Sequence, residues 1–600
     1  MKLPSINQIL QGALRTFFRF PLVLCSALAG TIAALILMDY EGPEGPTVLF
    51  NILFAAILGI PFLLGLTLVA EKRTWGRARS LGMQLAGVVL LVGYAFTVPS
   101  TLSSGPSFHL QRLLVLSLAM HLFVSVGPFL GSGAHNGFWQ YNKTLFFRIL
   151  GAALYSHILY LGLCLALAAL DQLFDINIPG KRYGELWIIT FGVLNTWLFL
   201  AGIPEDLKSF EKMNDYPKGL KILVQYVLAP LAVVYLVIIY AYIAKIALSW
   251  EWSEGWISKL ILGFSTTGIF SLLLLSPLRG ETGWVKAAYR WFPIAMIPLV
   301  IVFPLAVWRR IAEFGITEAR YIAAVLALWL IFMVLYSLLT GIKSIKVVPI
   351  SLGILSLALC FGPWGMFHAS EQSQIARLQN LLVRDSILVD GTIQKALAPV
   401  RYEGSKQISS ILDYLHQNHG FEGIQAWFHE SLRNDSTRTS PGWKDPLTVA
   451  DMLGIEYVRV WPGGGGNLVT FNMNADVSID VKGFDRMIRL QYIERRGVKK
   501  EITGEGTIFE LNANLDTLTI RSKGEGSVLR SLSIDLSPLA VHLLGDYANE
   551  NIGNVPVEKM TASGAAEGIR AKVFLRTIQV RRRGEAIEIN SLSVDIAYSK

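Results

Sequence analysis

Charge is scarce in this chain, and cysteine scarcer still. Asp, Glu, Lys and Arg make up 16% of the 600 residues, where soluble proteins carry about a quarter. The three cysteines, Cys25, Cys164 and Cys360, all fall in hydrophobic segments, so the polar part of the chain has no disulfide framework and no zinc cluster. Catalytic signatures are missing too: there is no Walker A loop, dinucleotide GxGxxG, HExxH or GxSxG elbow. The nearest phosphate-loop candidate, GSGAHNG at 131–137, lacks a preceding strand and a following Lys-Ser/Thr, and reads as a membrane loop. No catalytic residue can be assigned, no cofactor or metal is expected, and the leading reading is non-enzymatic. Net charge is +9, yet residues 368–600 hold 27 Lys+Arg against 28 Asp+Glu. A near-neutral polar region argues against polyanion binding, so no nucleic-acid partner is expected. The basic excess belongs to the hydrophobic part, where it reports topology.

What the sequence does have is long apolar runs. Hydrophobic residues make up 52% of the chain, and runs long enough to cross about 30 Å of hydrocarbon as helix recur through its first 366 residues. Spans are predicted at 20–38, 48–70, 81–98, 110–130, 147–170, 185–203, 222–247, 256–277, 291–308, 320–340 and 346–366, eleven in all. Pro61, Pro230, Pro293, Pro298, Pro304 and Pro349 fall inside them, which membrane helices tolerate. Before the first span, Ile6, Ile9, Leu10, Ala13, Leu14, Phe17 and Phe18 share one helical face opposite Asn7, Gln8, Gln11 and Arg15. Residues 1–19 therefore read as an interfacial amphipathic helix or as a cytosolic extension of the first span. SWEWSEGW at 249–256 places three tryptophans at a span boundary, as an aromatic belt does.

Lys and Arg concentrate in loops on the cytoplasmic side of a membrane. With the N-terminus cytoplasmic, that side collects Lys2, Arg15, Arg19, the EKRTWGRAR segment, Lys143, Arg148, four lysines of 204–221, Arg279, Lys286, Arg290, Lys343 and Lys346. The other side has Arg112, Lys181, Arg182, Arg309, Arg310 and Arg320. Eleven spans then place the polar C-terminal part outside the cytoplasm. A re-entrant 291–308 would satisfy the charge rule equally well and return that part to the cytoplasm, so the full crossing is the expectation to be checked.

The fold class expected is a polytopic α-helical membrane domain (20–367, about 11 spans) followed by a soluble α+β domain with an antiparallel sheet. Within the latter, 368–430 reads as helices and 431–446 as a polar linker. Residues 447–600 read as a β-rich region of short alternating runs such as MIRLQYIE, TLTIRS and VFLRTIQVRRR, with SPLAVHLLGDYA as one helix packed on the sheet.

Between two apolar runs lies VWRRIAEFGITEARY, a charged corner. Arg309 and Arg310 stand four and three residues before Glu313 and can pair with it. Gly315 suits a left-handed helix end and Thr317 the N-cap of the next helix, with Glu318 in its first turn. Arg320 completes the cluster. It reads as a self-neutralised bend or as a functional polar cluster at the membrane edge. His121, His157 and Lys245 are candidate intramembrane polar sites. His416 and His419, with Asp413 before them, could approach a metal, but Gly420 and Gly423 interrupt the helix and a solvated helix end accounts for them. Asp39, Glu41 and Glu44, in the first outer loop, are the acids a lipid-linked transferase would need; a solvated turn accounts for them equally.

Several motifs in order, QYVLAPLAVVYLVIIYAYIAKI, EWSEGWISKLILGF, RRIAEFGITEARY, FGPWGMFHASEQSQIARLQNLL and ILVDGTI, resemble the bacterial domain of unknown function 4153 family across about 220–430. Ser253 stands where that pattern has proline. The resemblance implies a multi-pass bacterial membrane protein with a C-terminal soluble domain. It makes Arg309, Arg310, Glu313, Gly315, Thr317 and Arg320 part of a signature and supplies no activity. The function expected is that of an inner-membrane protein whose soluble domain binds a ligand or another envelope protein, in envelope maintenance or sensing, with the lipid bilayer as its other partner. The alternatives are a transporter and a lipid-linked glycosyl or acyl transferase.

Overall fold

In the computed structural model the described residues are all except 1–5, 41–46, 99–107, 132, 134, 250–255, 281–282, 397–399, 434–441, 456, 459–467, 475–477, 495–499, 505, 524–528, 547–551, 584–585 and 600. Glu41, Glu44, most of SWEWSEGW and half of the linker therefore lie outside the described residues.

Helix α1 (Ile6–Arg19) leaves Leu10, Leu14 and Phe18 exposed, the apolar face an interfacial helix turns to lipid. Its last residue, Arg19, clamps Glu71 through two 2.8 Å hydrogen bonds and also donates to the carbonyls of Ile203 and Pro204. Membrane-type helices follow: α2 (Pro21–Asp39), α3 (Thr47–Lys72), α4 (Arg77–Ala95), α5 (Phe108–Val126) and α6 (His135–Phe174). Next come α7 (Lys181–Ile189) and α8 (Asn195–Ala201), joined by a π-turn, then α9 (Lys218–Ile222) and α10 (Ala229–Ser249), joined by another. The series ends with α11 (Trp256–Leu275), α12 (Gly283–Phe314), α13 (Glu318–Thr340) and α14 (Val347–Cys360). Among the described residues ten helices are long and apolar enough to cross a membrane.

Two segments bear on the count of crossings, 291–308 and 346–366. Residues 291–308 do not dip and return: Gly283–Phe314 is one continuous helix of 32 residues, about 48 Å long. It keeps Pro293, Pro298 and Pro304 inside it because neighbouring side chains bury that stretch, with Met296, Leu299 and Phe303 almost fully enclosed. The expected eleventh span, 346–366, is shorter than its apolar run. Helix α14 has 14 residues, about 21 Å, and stops where Phe361 turns extended and Gly362 takes φ +82°. It nonetheless runs antiparallel to α5 over nearly that helix's full depth. At one end Lys346 Nζ donates to the Phe129 carbonyl (3.1 Å), and at the other Cys360 Sγ lies 4.0 Å from the Arg112 carbonyl. The start of α5, the end of α14 and the start of α13 therefore share one end of the bundle. The Arg19–Glu71 clamp and Lys346 belong to the opposite end.

The chain then leaves the bundle in a small helical lobe: α15 (Met366–Arg384), a β1–β2 hairpin (Leu388–Val389, Thr392–Ile393), α16 (Tyr402–Asn418) and α17 (Pro446–Leu453). Leu378, Leu382, Ile408, Leu412, Leu415, Phe421, Ile424 and Val449 close its core. The lobe belongs to the same compact unit as the bundle, Met1–Val460.

Trp461–Lys600 forms a second compact unit. Its strands are β3 (Leu468–Met473), β4 (Arg486–Glu494), β5 (Lys500–Gly504), β6 (Thr507–Leu511), β7 (Thr517–Lys523), β8 (Leu529–Asp535), β9 (Ile552–Val555), β10 (Thr561–Ala566), β11 (Ile569–Arg583) and β12 (Ala586–Ser599). One sheet runs β4-β12-β11-β3-β9 with β10 also on β11, and a meander runs β5-β6-β7-β8. Pairing is antiparallel as the alternation implied, save β3 with β9, which is parallel. Phe471, Phe509, Leu518, Phe574, Ile578 and Ile596 fill the core between the sheets, and α18 (Ser537–Asp546) adds Ala540 and Leu543 to it.

Candidate functional site

The charged corner is where the helical lobe meets the bundle. Helix α12 stops at Phe314 because Gly315 takes φ +71°, with its N–H returning to the Ile311 carbonyl at 2.8 Å. This leaves the final carbonyls of α12 without helical partners, at the negative end of the helix dipole. Cations and amides fill that need. The Phe314 carbonyl accepts from Arg320 Nη1 (3.1 Å), Gln374 Nε2 (3.1 Å) and Arg377 Nη1 (3.0 Å); Gly315 accepts from Arg320 (2.9 Å) and Ile316 from Gln374 (2.9 Å). Ser373 Oγ takes the Ile316 N–H at 3.0 Å. Three polar residues within one turn or so of α15, Ser373, Gln374 and Arg377, are thus spent on holding the bend. Burial lowers the pKa of the Arg377 guanidinium while the Glu313 carboxylate opposes the shift.

Two arginines of the corner also meet an aromatic ring. Arg310 lies over the Phe314 ring, 5.5 Å from its centroid, as does Arg320 at 5.4 Å, so the arginines serve an aromatic face and the helix end. Thr317 occupies the N-cap in extended backbone (φ −128°, ψ 164°) and accepts the Tyr321 N–H at 2.8 Å through its carbonyl. Its side chain makes no capping bond. Gly315→Ala is expected to destabilise this corner by about 1–2 kcal/mol from the left-handed backbone alone. A Cβ there would also lie 2.8 Å from Gln374 Nε2. Faster amide exchange in 370–380 of the purified chain is the expected readout.

Three residues beyond Gly315 lies the centre of the site. Glu318, in the first turn of α13, is 5% exposed. Tyr414 Oη donates to its carboxylate, 2.8 Å from each oxygen, and His419 Nε2 stands 2.8 Å from Oε1 and 3.1 Å from Tyr414 Oη. A buried carboxylate at a helix N-terminus gains from the dipole, and two charge-assisted hydrogen bonds offset its desolvation. Burial and the Glu318 charge raise the pKa of the Tyr414 hydroxyl well above its ordinary value, so it stays a proton donor. Phe108, the first residue of α5, stacks on His419 (6.0 Å) and touches Phe367 (5.2 Å). Asn418 meets Gln111 at 3.5 Å. The starts of two spans and the end of α16 are locked together here.

The other candidate residues are dispersed. His416 packs by Phe421 at 5.7 Å, apart from the ring of His419. Among the described residues no group of three or more His, Cys, Asp or Glu is placed to hold a metal. Asp39 pairs with Lys181 at 2.9 Å. His157 bonds the Ala153 carbonyl at 2.9 Å and meets Phe191 edge-on, and Lys245 is exposed on α10. His121 bonds the Ser117 carbonyl at 2.8 Å and lines a cavity between α3, α5, α6 and α8. Tyr414, Ser373, Gln374 and Arg377 were not marked by the sequence, and Glu318 was read there only as a first-turn acid. The partners of Glu318 lie about a hundred residues downstream, and no spacing rule links them.

This architecture defines a class: a multi-pass membrane protein whose bundle is followed by an extramembrane helical lobe and a β-rich unit. The chain belongs to the family described as Domain of unknown function (DUF4153), which matches residues 23–393, most of the membrane region and the start of the lobe. It is also similar to an uncharacterized protein of Pasteurella multocida (strain Pm70), 23% identical over 263 residues, which are 41% of this chain and 44% of that one. The chain thus matches less than half the length of that relative. No solved structure matches it.

Proposed function

We propose that this chain is a non-enzymatic protein of a bacterial cytoplasmic membrane that presents its lobe and β-rich unit outside the cytoplasm as a binding platform for a ligand or envelope partner. The observation that carries the reading is the buried Glu318–Tyr414–His419 joint. A lobe held by an enclosed carboxylate, rather than by a flexible linker, can pass a binding event to the spans α5 and α13. The topology rests on the charge map, with the clamp of Arg19 at the cytoplasmic end and Glu318 at the other. Its role would lie in envelope maintenance or sensing.

Cells lacking the chain provide the test. The full-length protein is expected to restore their envelope phenotype, while a chain ending at Val460 and the Glu318→Ala variant insert but fail to restore it. Restoration by the shortened chain would sink the platform reading and favour transport through the bundle. Compartment reporters fused after Gly341 and after Lys600 are expected to be active in the cytoplasm and outside it, respectively.

A further inference from the structure

A cavity beside His121 lies among helices α3, α5, α6 and α8. Its volume is about 400 Å³, and Ile60, Leu64, Val124, Leu145, Ile149 and Phe199 form apolar walls. Phe146 and Ile149 are each about half exposed on the outer surface of α6, so the cavity opens sideways, towards lipid, and not through the bundle. Five polar residues face it: His121, Ser125, Asn142, Asn195 and Thr196. There is no Asp, Glu, Lys or Arg among its lining residues.

The hydrogen bonds show which of those groups are spoken for. Ser125 Oγ donates to Asn142 Oδ1 (2.6 Å), and Asn142 Nδ2 donates to the carbonyls of Ser125 and Phe138. Thr196 donates back to the Gly192 carbonyl at 2.8 Å. Ser156 meets Asn195 Oδ1 at 3.4 Å, and among the described residues no acceptor claims the amide hydrogens of Asn195. His121 Nδ1 faces a carbonyl oxygen, Ser117 O. A carbonyl only accepts, so Nδ1 carries a proton; the tautomer protonated there offers Nε2 as an acceptor, and no hydrogen-bond partner for Nε2 stands among the described residues. An exposed imidazole and a free amide are costly at membrane depth unless something satisfies them.

We infer that this cavity is a binding site for an uncharged lipid with a hydroxyl head, of the diacylglycerol or long-chain alcohol class. The hydroxyl donates to His121 Nε2 and accepts from Asn195 Nδ2, and the hydrocarbon lies along the apolar walls. Depth supports this occupant. Counting along α5, α6 and α8, His121, Asn142 and Asn195 stand about five to seven residues, roughly 8–11 Å, inside the bundle end that carries the Arg19 clamp. A phosphate headgroup at that depth would find no cation in the lining, whereas a single hydroxyl would find both a donor and an acceptor.

The test uses the full chain in nanodiscs of phosphatidylcholine doped with a diazirine-tailed diacylglycerol, and in parallel with phosphatidylglycerol bearing the same tail. Crosslinked peptides are mapped by mass spectrometry. The diacylglycerol probe is expected to label 142–152 and 195–199 at least about fivefold more than the phosphatidylglycerol probe. His121→Leu and Asn195→Leu should each lower that labelling about tenfold, the worth of about 1.4 kcal/mol. Labelling of the exposed flank of α10 around Val233 and Val237 should stay unchanged, showing an intact bundle. Equal labelling by both probes, or no effect of His121→Leu, would overturn the proposal and leave a cavity filled by bulk acyl chains.

Discussion

Glu318→Ala is expected to loosen the lobe from the bundle without unfolding the spans. The substitution takes away an acceptor used by two buried donors, and what remains is a Tyr414 hydroxyl and a His419 ring enclosed by Phe108 and the end of α16. Removing one side of a buried charge-assisted set costs about 3–5 kcal/mol. Here the low end is expected, because Tyr414 and His419 stand 3.1 Å apart and can still bond each other. Glu318→Gln keeps the shape and one acceptor and is expected to cost about half as much. Tyr414→Phe removes a single hydroxyl and should cost roughly 1–2 kcal/mol. Hydrogen exchange of 402–430 in the detergent-solubilised chain, compared with that of α3 and α5, measures the effect. Unchanged protection of α16 in Glu318→Ala would show that the joint does not hold the lobe.

The second large effect is expected in the β-rich unit, from removing Arg489 and Arg576 together. Both reach Asp595 on the central strand β12: Arg489 Nε to Oδ1 at 2.8 Å and Arg576 Nε to Oδ2 at 2.5 Å. The carboxylate is fully buried, while each arginine keeps about half its side chain in solvent. The asymmetry sets the ranking. Asp595→Asn leaves two arginines able to turn to water, whereas Arg489→Ala with Arg576→Ala strands a buried anion, expected to cost about 3–5 kcal/mol. Either single substitution leaves one partner and should cost much less than half. Burial raises the Asp595 pKa, but the two arginines outweigh it and hold the carboxyl below its ordinary value of 3.8. A depressed folded-state pKa stabilises above the unfolded value and is lost as the pH falls through the folded one. The wild-type unit should therefore keep this contribution at pH 5–7 and lose it below about pH 4. The double variant should be most impaired near neutrality, with the gap closing in acid. Exchange protection of β11 and β12 between pH 3 and 7 reads both effects; a gap independent of pH would exclude the ion-pair account.

Much of the architecture was legible because the bilayer and the pleated sheet impose simple periods on sequence. Apolar runs of membrane length marked the helices from α2 to α13, and alternation marked β4, β7, β8, β11 and β12. The limits were set by local backbone. The run 346–366 is apolar throughout, yet α14 ends at Cys360, since Gly362 followed by Pro363 favours a turn over helix continuation. Charge counting left two topologies level at 291–308, where the backbone is one unbroken helix whose three prolines are packed among neighbouring side chains. At the corner, Gly315 and Thr317 were readable from backbone preference. The partners of Arg310 and Arg320 were not: helical spacing shows that Arg310 and Glu313 are neighbours, but not that a carbonyl end and the Phe314 ring compete for the guanidinium groups.

The sequence by itself therefore determined a charge-poor, many-span bundle followed by a neutral α+β region, and the bend at Gly315, because these follow from hydrophobic length, strand period and the conformational freedom of one glycine. Only the tertiary structure decided that Glu318 is the centre of the joint, that His419 serves it rather than pairing with His416, and that His121 and Asn195 face one cavity. Those pairings join residues far apart in the chain. Burial removes the water that would otherwise satisfy each of them, so their meaning lies in what the fold places opposite.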